Sequence, residues 1–450
     1  MAQVLPGVYV SVKDEGLITV SPGAVNIIGI VGTAAWGPVN EGVLLGSWSD
    51  AVSAFKIDQT NLTLLKALEL AFANGATDVY AVRIDDGTAN KASITLSAAI
   101  TLNGIYKGTY GNQIAVSVTN NATNPSNRDV KITDGVSVEN YTNMPTNLAI
   151  VEAINNGSGF VTATKLSDTL ITAQSSTYLT GGLDGHAVST GAYALGLNVL
   201  DNLSVNFELC AGQSDASLHA SMDAHVQSLA QDNKERIAIA GIALGESLAT
   251  TLARTSALSS DRFVLVAPGV TYTSVLSGSE VTRSGAYAAA AIAGKLASLP
   301  VSYSLTNKII NKISALEQDY SDAELRQLVQ ARIVAIKKDN GFRVTKGVTT
   351  STNTAWTQIT TRRIVDYVMG GTRLAGQDYI GRLNNANIRS SLKNVIDAFL
   401  GMLVFEETLI AFESEVSATR QEEIQGICRV NLRIQPVFSI DYIMATIYLE

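Results

Sequence analysis

The chain alternates between two hydrophobic periods. Near the start, Val8, Val10 and Val12 alternate with Tyr9, Ser11 and Lys13, which predicts an extended strand with no hairpin partner close by. After Pro22 and Gly23 the apolar run Val25 to Val31 is followed by a Gly-rich turn. A helical pattern through Leu62, Leu65, Leu68, Leu70 and Phe72 then stops at Gly75, before a strand from Val79 to Ile84. From 88 to 185 the composition shifts to Thr, Asn, Ser and Gly with short alternations such as Ile114, Val116 and Val118, the mark of an inserted β-rich domain.

Beyond it, helices (Ser214 to Gln231, Glu246 to Ser259, Ala286 to Ala297) alternate with apolar strands (Ile237 to Ile242, Phe263 to Ala267), a doubly wound α/β pattern. Ser321 with Glu324 forms a capping-box signature, and Ile388, Leu392, Ile396, Phe399, Leu400 and Leu403 predict a helix from Asn385 to about Phe412. Cys428, Val430, Leu432 and Ile434 alternate with Arg429, Asn431 and Arg433 as a half-buried strand. After Pro436, Val437 to Leu449 is apolar on both prospective faces: Ile440, Tyr442 and Met444 on one, Ile443, Ala445 and Ile447 on the other. Such a strand needs cover, either from its own sheet or from a neighbour's.

The expected organisation is α/β and α+β multidomain. Residues 1–20 form an N-terminal arm strand, 21–87 and 186–345 a discontinuous layered α/β central domain, 88–185 the β-rich insertion, 346–435 an α+β C-terminal domain and 436–450 a C-terminal arm strand. At 450 residues the chain exceeds one core, and 46% apolar against 16% charged residues, with mean hydropathy +0.19, points to surface buried between subunits. Net charge −8 gives no electrostatic footprint for nucleic acid. The opening MAQVLPGVYV has no basic segment before an apolar stretch, and the apolar runs 286–293 and 399–405 are too short to span a bilayer, so cytoplasmic folding without a membrane anchor is expected.

Several motifs resemble contractile phage-type tail sheath proteins: PGVYV at Pro6 to Val10, GIVGTAAWGPVNE at Gly29 to Glu41 and GTYGNQIAV at Gly108 to Val116. They continue with GVTTSTNTAWTQITTRRIVDYV at Gly347 to Val368, YIGRLNN at Tyr379 to Asn385 and FSIDYIMATIYL at Phe438 to Leu449. The resemblance implies a helical homopolymer of stacked rings around a tail tube protein, meeting baseplate and tail terminator proteins, in a virion tail assembled in the host cytoplasm. It implies a subtilisin-like central domain and terminal arms, carried here by Val8, Val10, Val12, Phe438, Ile440, Tyr442, Met444 and Ile447, pairing with neighbours. It also implies a metastable extended state whose subunits rotate and slide on contraction, driving the tube through the target envelope for genome ejection. Phage, tailocin and other contractile injection systems share this subunit design.

The competing class is an α/β hydrolase, and the residues do not supply one. The histidines are His186, His219 and His225, with no GxSxG elbow. His219 and His225 are expected as solvated helix residues. AGKL at Ala293 to Leu296 lacks the Ser or Thr of a phosphate loop, with Ala289 where its first Gly belongs, and Gly29, Gly32 and Gly37 do not make GxGxxG. Cys210 and Cys428 lack metal or disulfide spacing and are expected as buried thiols. No catalytic, metal or cofactor set is assigned. From Lys337 to Lys393 there are ten basic residues against three acidic, and from Asp397 to Gln425 seven acidic against one basic. Combined with the resemblance, this makes Arg382, Arg389 and Lys393 candidates for an acidic tube surface.

Overall fold

The computed structural model describes residues 26–57, 62–185 and 188–448. These divide into two compact units, 26–362 with 439–448, and 363–438. Val8, Val10 and Val12 lie outside the described residues, as does His186.

The first unit is organised by six parallel strands: β1 (Ile28–Gly32), β2 (Val79–Arg83), β3 (Phe207–Cys210), β4 (Ile237–Gly241), β5 (Phe263–Ala267) and β6 (Val334–Lys338). Their order across the sheet is 2-1-3-4-5-6, with antiparallel edge strands Gly42–Leu45 beside β2 and Phe342–Val344 beside β6. Every residue of β1, β4 and β5 is buried, as expected of strands covered on both faces. Alternate residues feed two cores. Ile28, Ile30, Val264 and Val266 meet one layer of helices, α1 (Leu64–Ala73) and, later in the chain, Gly285–Ala297. Val31, Ala238, Phe263 and Leu265 meet the other layer, α2 (Thr190–Leu200), α3 (Ala216–Gln231) and α4 (Leu248–Ala257).

The helix Gly285–Ala297, α5, is buried along almost its whole length because it is made of small residues. A Cβ on Gly241 of β4 would fall 2.0 Å from the Gly285 carbonyl, so backbone packs directly on backbone there. The AGKL sequence lies inside this helix.

The segment 88–185 carries seven strands in two sheets, Gln174–Tyr178 with 115–120, 128–133 and 138–144, and Lys91–Leu96 with 100–107 and 161–165, plus the helix Asn147–Gly157. Its core also takes in Trp36 from the turn after β1. Trp36 is 2% exposed, edge-on to Tyr106 at 5.4 Å and tilted against Tyr110 at 5.5 Å. Arg83, at the end of β2, donates to the carbonyls of Gly37 (2.9 Å) and Lys107 (2.7 Å). The segment is therefore joined to the sheet by packing as well as by chain.

Residues 346–362 belong to the first unit: Thr350 N donates to Phe263 O at 2.9 Å and Arg362 pairs with Asp261 at 2.9 Å. Helix α6 (Ile359–Gln377) then carries the chain into the second unit, where α7 (Ala386–Phe405) packs on a hairpin of β7 (Leu409–Ser417) and β8 (Arg429–Pro436), joined through α8 (Arg420–Gln425). The Phe399 ring occupies the space that a Cβ on Gly371 would need, 2.2 Å away.

Three expectations are corrected. The helix predicted to run to about Phe412 stops at Phe405, because Glu407 takes a left-handed conformation (φ 56°). Glu407 N and Thr408 N then bond back to Val404 O and Leu403 O, a Schellman stop made without glycine. Val437 to Tyr448 forms no strand, since its backbone joins no sheet among the described residues. Cys428 is exposed, because it lies in the link after α8 before β8 begins at Arg429, whereas Cys210 is buried within β3.

Trp36→Ala removes an aromatic anchor shared by the sheet and the insertion, and a loss of about 3–5 kcal/mol is expected. Calorimetry should show a lowered unfolding midpoint, and limited proteolysis should cut first within 88–185.

Candidate assembly surfaces and the interior of the sheet

In a doubly wound sheet, ligands bind where the strand order reverses, outside the carboxyl ends of the strands. Here that place is between β1 and β3, and it is filled by the protein itself. Thr33 and Thr63 exchange backbone-to-hydroxyl bonds at 3.1 Å each. Tyr193 OH lies 3.4 Å from Thr63 Oγ1 and donates to Ala211 O, while Gln213 Nε2 donates to it at 3.0 Å. Burial pushes the Tyr193 phenol up to about 12, so it stays a neutral hydroxyl. A hollow of about 420 Å³ beside Trp48, Phe72 and Lys312 does contain a carboxylate, Glu69. Ser274 Oγ (3.0 Å), Val275 N (2.6 Å) and Lys312 already saturate it.

The two described histidines are not solvated, contrary to expectation. His219 is 3% exposed, against Phe263; burial first, then the Arg254 charge, lowers it to about 4. His225 places Nδ1 2.9 Å from Glu208 Oε1 and Nε2 2.8 Å from Asp201 Oδ1. Burial disfavours the charged ring, but the hydrogen bonds and charges of Glu208 and Asp201 outweigh it and raise the group. With each carboxylate accepting, both nitrogens donate, which favours the imidazolium, a form with no lone pair to activate a nucleophile. Arg236 (Nη1 3.4 Å from Glu208 Oε2) completes the cluster. Pattern reading missed it because Asp201, Glu208 and Arg236 come from three separate elements. Among the described residues no group of three or more His, Cys, Asp or Glu is arranged to hold a metal, and no helix is long and apolar enough to cross a membrane.

The surfaces that remain open are of another kind. The β7–β8 hairpin is a two-stranded sheet: Phe412, Val416, Val430, Leu432 and Ile434 face the α7 core, and Glu413 and Arg433 face out. Among the described residues neither long edge pairs with a third strand. In the segment 437–448, Phe438, Ile440, Tyr442, Met444 and Ile447 are exposed, Met444 to 95% and Ile447 to 86%. The basic stripe is less available than expected. Arg389 pairs with Glu423 (3.0 Å) and Asn384 Oδ1 (2.8 Å), and Lys393 with Asp397 one turn on; Arg382 stays exposed, stacked 4.9 Å over Tyr379.

The family model for the phage tail sheath protein central domain matches residues 186–350, and that for the phage tail sheath C-terminal domain matches 351–450. A tail sheath protein of Bacillus phage SP01 is 28% identical over 244 residues, covering 52% of this chain and 42% of the relative, so the match spans less than half the relative's length. Among solved structures, a sheath tail protein of Desulfitobacterium hafniense superposes with TM-score 0.76 at 18% identity, over 96% of this chain and 97% of that one. The helical sheath of the anti-feeding prophage in its contracted state gives 0.63 at 14% identity, over 100% of both chains. At these identities the likeness shows a shared mixed α/β fold.

The two histidines bracket the pH of greatest stability. The folded-state value of His225 is raised, so its contribution is fully present below the unfolded value and is lost as pH rises through the folded one. That of His219 is lowered, so stability falls as pH drops from the unfolded value toward about 4. Urea midpoints from about pH 4 to about pH 9 should fall on both sides of neutrality. His225→Gln is expected to flatten the alkaline side and His219→Gln the acid side.

Proposed function

The chain belongs to the phage tail sheath family, and we propose that it is the subunit of a contractile sheath, polymerising helically around a tail tube and contracting to drive that tube through a target envelope. The observation that carries this reading is a pair of surfaces unmet among the described residues: a two-stranded hairpin with two open edges and an apolar segment with no sheet of its own. Strand addition satisfies both at once. The hairpin's edges offer backbone donors and acceptors, and the segment's alternate side chains set the register. The N-terminal strand through Val8, Val10 and Val12 is assigned the same role on the other edge.

In this reading the first unit moves as a rigid body, its layered sheet supporting the subtilisin-like description, while strands shared between subunits keep them linked during contraction. The tube, baseplate and terminator are the further partners, in a virion tail; Arg382 is the basic residue left open toward the tube. Exposed charge contacts contribute about 0–1 kcal/mol each, a strength that permits release. The segment 88–185 is assigned to the outside of the sheath.

Truncation after Gln435 removes mostly exposed residues together with the paired Asp441, so the remainder should stay folded by circular dichroism while hollow tubes vanish from negative-stain images. Tubes of normal geometry from the truncated chain would refute strand donation. Asn90 and Leu183 are bridged, so the ends of the insertion lie side by side and a short Gly/Ser bridge can replace 88–185. With Trp36→Ser to keep the uncovered turn soluble, that variant should still form tubes, and loss of assembly by a folded variant counts against the outward placement.

A further inference from the structure

The segment 437–448 inverts the usual placement of polar and apolar groups. Ile440, Tyr442 and Ile443 are 80, 72 and 88% exposed, whereas the Asp441 side chain between them is only 10% exposed. Apolar side chains in water and a buried carboxylate are both unfavourable for an isolated chain, so something must hold the arrangement. Lys346 Nζ lies 3.1 Å from Asp441 Oδ2, and Gln358 Nε2 donates to the same oxygen at 3.3 Å. Thr306 and Ser439 hydroxyls donate to Oδ1, each at 3.3 Å. The receiving side is braced in turn: Ser304 Oγ and Gly347 N donate to the Thr306 hydroxyl at 3.0 and 3.2 Å, which leaves its own proton for Asp441. The Lys346 ammonium also sits 5.3 Å from the centre of the Tyr442 ring.

We propose that Asp441 clips the root of this segment to its own subunit, so that the strand given to a second copy of the chain begins at Ile443. The proposal rests on the sheath reading above and adds to it a fixed point of departure. Without the clip, residues 437–448 would sample many directions, and an edge strand on a neighbour would meet the competent one rarely. With it, Tyr442 is held with its ring against Lys346, and the residues that follow leave from one place with their apolar side chains uncovered. The clip also explains why a charge is buried where no catalysis or metal calls for it: a buried, fully satisfied carboxylate specifies a position more sharply than an apolar contact does.

The test uses the full-length chain and compares wild type with Asp441→Ala, Lys346→Met and the double variant. Each single variant should slow tube formation, followed by light scattering and negative stain, by about tenfold, as expected if the competent root is populated only one part in ten of the time. The double variant should be no slower than the slower single, because both remove one interaction. Circular dichroism should show every variant folded, and backbone amides of 440–442 should exchange faster in the unassembled Asp441→Ala chain than in wild type. Tube formation at the wild-type rate by Asp441→Ala overturns the clip, and so do additive effects in the double variant. If wild type itself makes no tubes, it is the sheath reading that fails. The clip then stands or falls on exchange, and equal rates at 440–442 in the two chains overturn it.

Discussion

Backbone amides and carbonyls need partners, and in this chain the demand is left open in two places by the same physical fact. Among the described residues the hairpin has only two strands, each with a partner on one side, so β7 and β8 each present an unpaired row along their outer edge. The segment 437–448 joins no sheet among the described residues and carries apolar side chains into solvent. Natural edges are usually shortened, charged inward or covered. These are long, and only the outward face of the hairpin is charged, through residues such as Glu413 and Arg433. Their incompleteness makes sense if the missing strands come from other copies. The rest of the molecule can be understood as what keeps such edges from collapsing onto themselves.

The first unit supplies stiffness. Its sheet is covered on both faces, and α5 lies against β4 with backbone on backbone at Gly241 and Gly285, a contact that admits no Cβ. At the point where a doubly wound sheet ordinarily opens for a ligand, Thr33, Thr63, Tyr193 and Gln213 close it with their own hydrogen bonds. A topology that positions substrates in many enzymes is here occupied, at that crevice, by hydrogen-bonded side chains of the chain itself, and fold alone does not assign an activity. The His225 cluster follows the same logic, since a ring held between two carboxylates braces β3, the turn after α2 and α3, and has no lone pair to spare for catalysis.

Much of this was legible in the sequence wherever hydrophobic period and local capping agree. The strands from Val79, Ile237 and Phe263, the helices over 216–231 and 285–297, and the capping box at Ser321 lie where the pattern put them, because each is decided by residues within a few positions. The end of α7 was not legible: a left-handed Glu407 does the work usually signalled by Gly, and strand β7 was absorbed into the helical pattern. Nor was the burial of His219 and His225, since it depends on Phe263, Glu208 and Asp201, which are distant in sequence. The role of Trp36 was hidden for a similar reason. Its partners Tyr106 and Tyr110 belong to an insertion that composition alone had set apart from the sheet.

Charge was the signal most easily over-read. The run of basic residues from Lys337 to Lys393 followed by acidic ones to Gln425 looks like the code for a complementary partner. The structure shows much of it used at home: Arg389 with Glu423, Lys393 with Asp397, Arg429 with Glu422, Arg362 with Asp261 and Lys346 with Asp441. Pairs of this kind are mostly half-exposed and contribute little each to stability, but they fix geometry. They hold α8 against the start of α7, and the root of the apolar segment against residues 306–358. Charge in this chain therefore arranges the surfaces, and in the proposed assembly those surfaces join through what charge does not supply, paired backbone and buried apolar side chains. A polymer built that way can change the angle between its subunits, because the ion pairs that define each body lie within it and the strands that join the bodies tolerate bending without losing register.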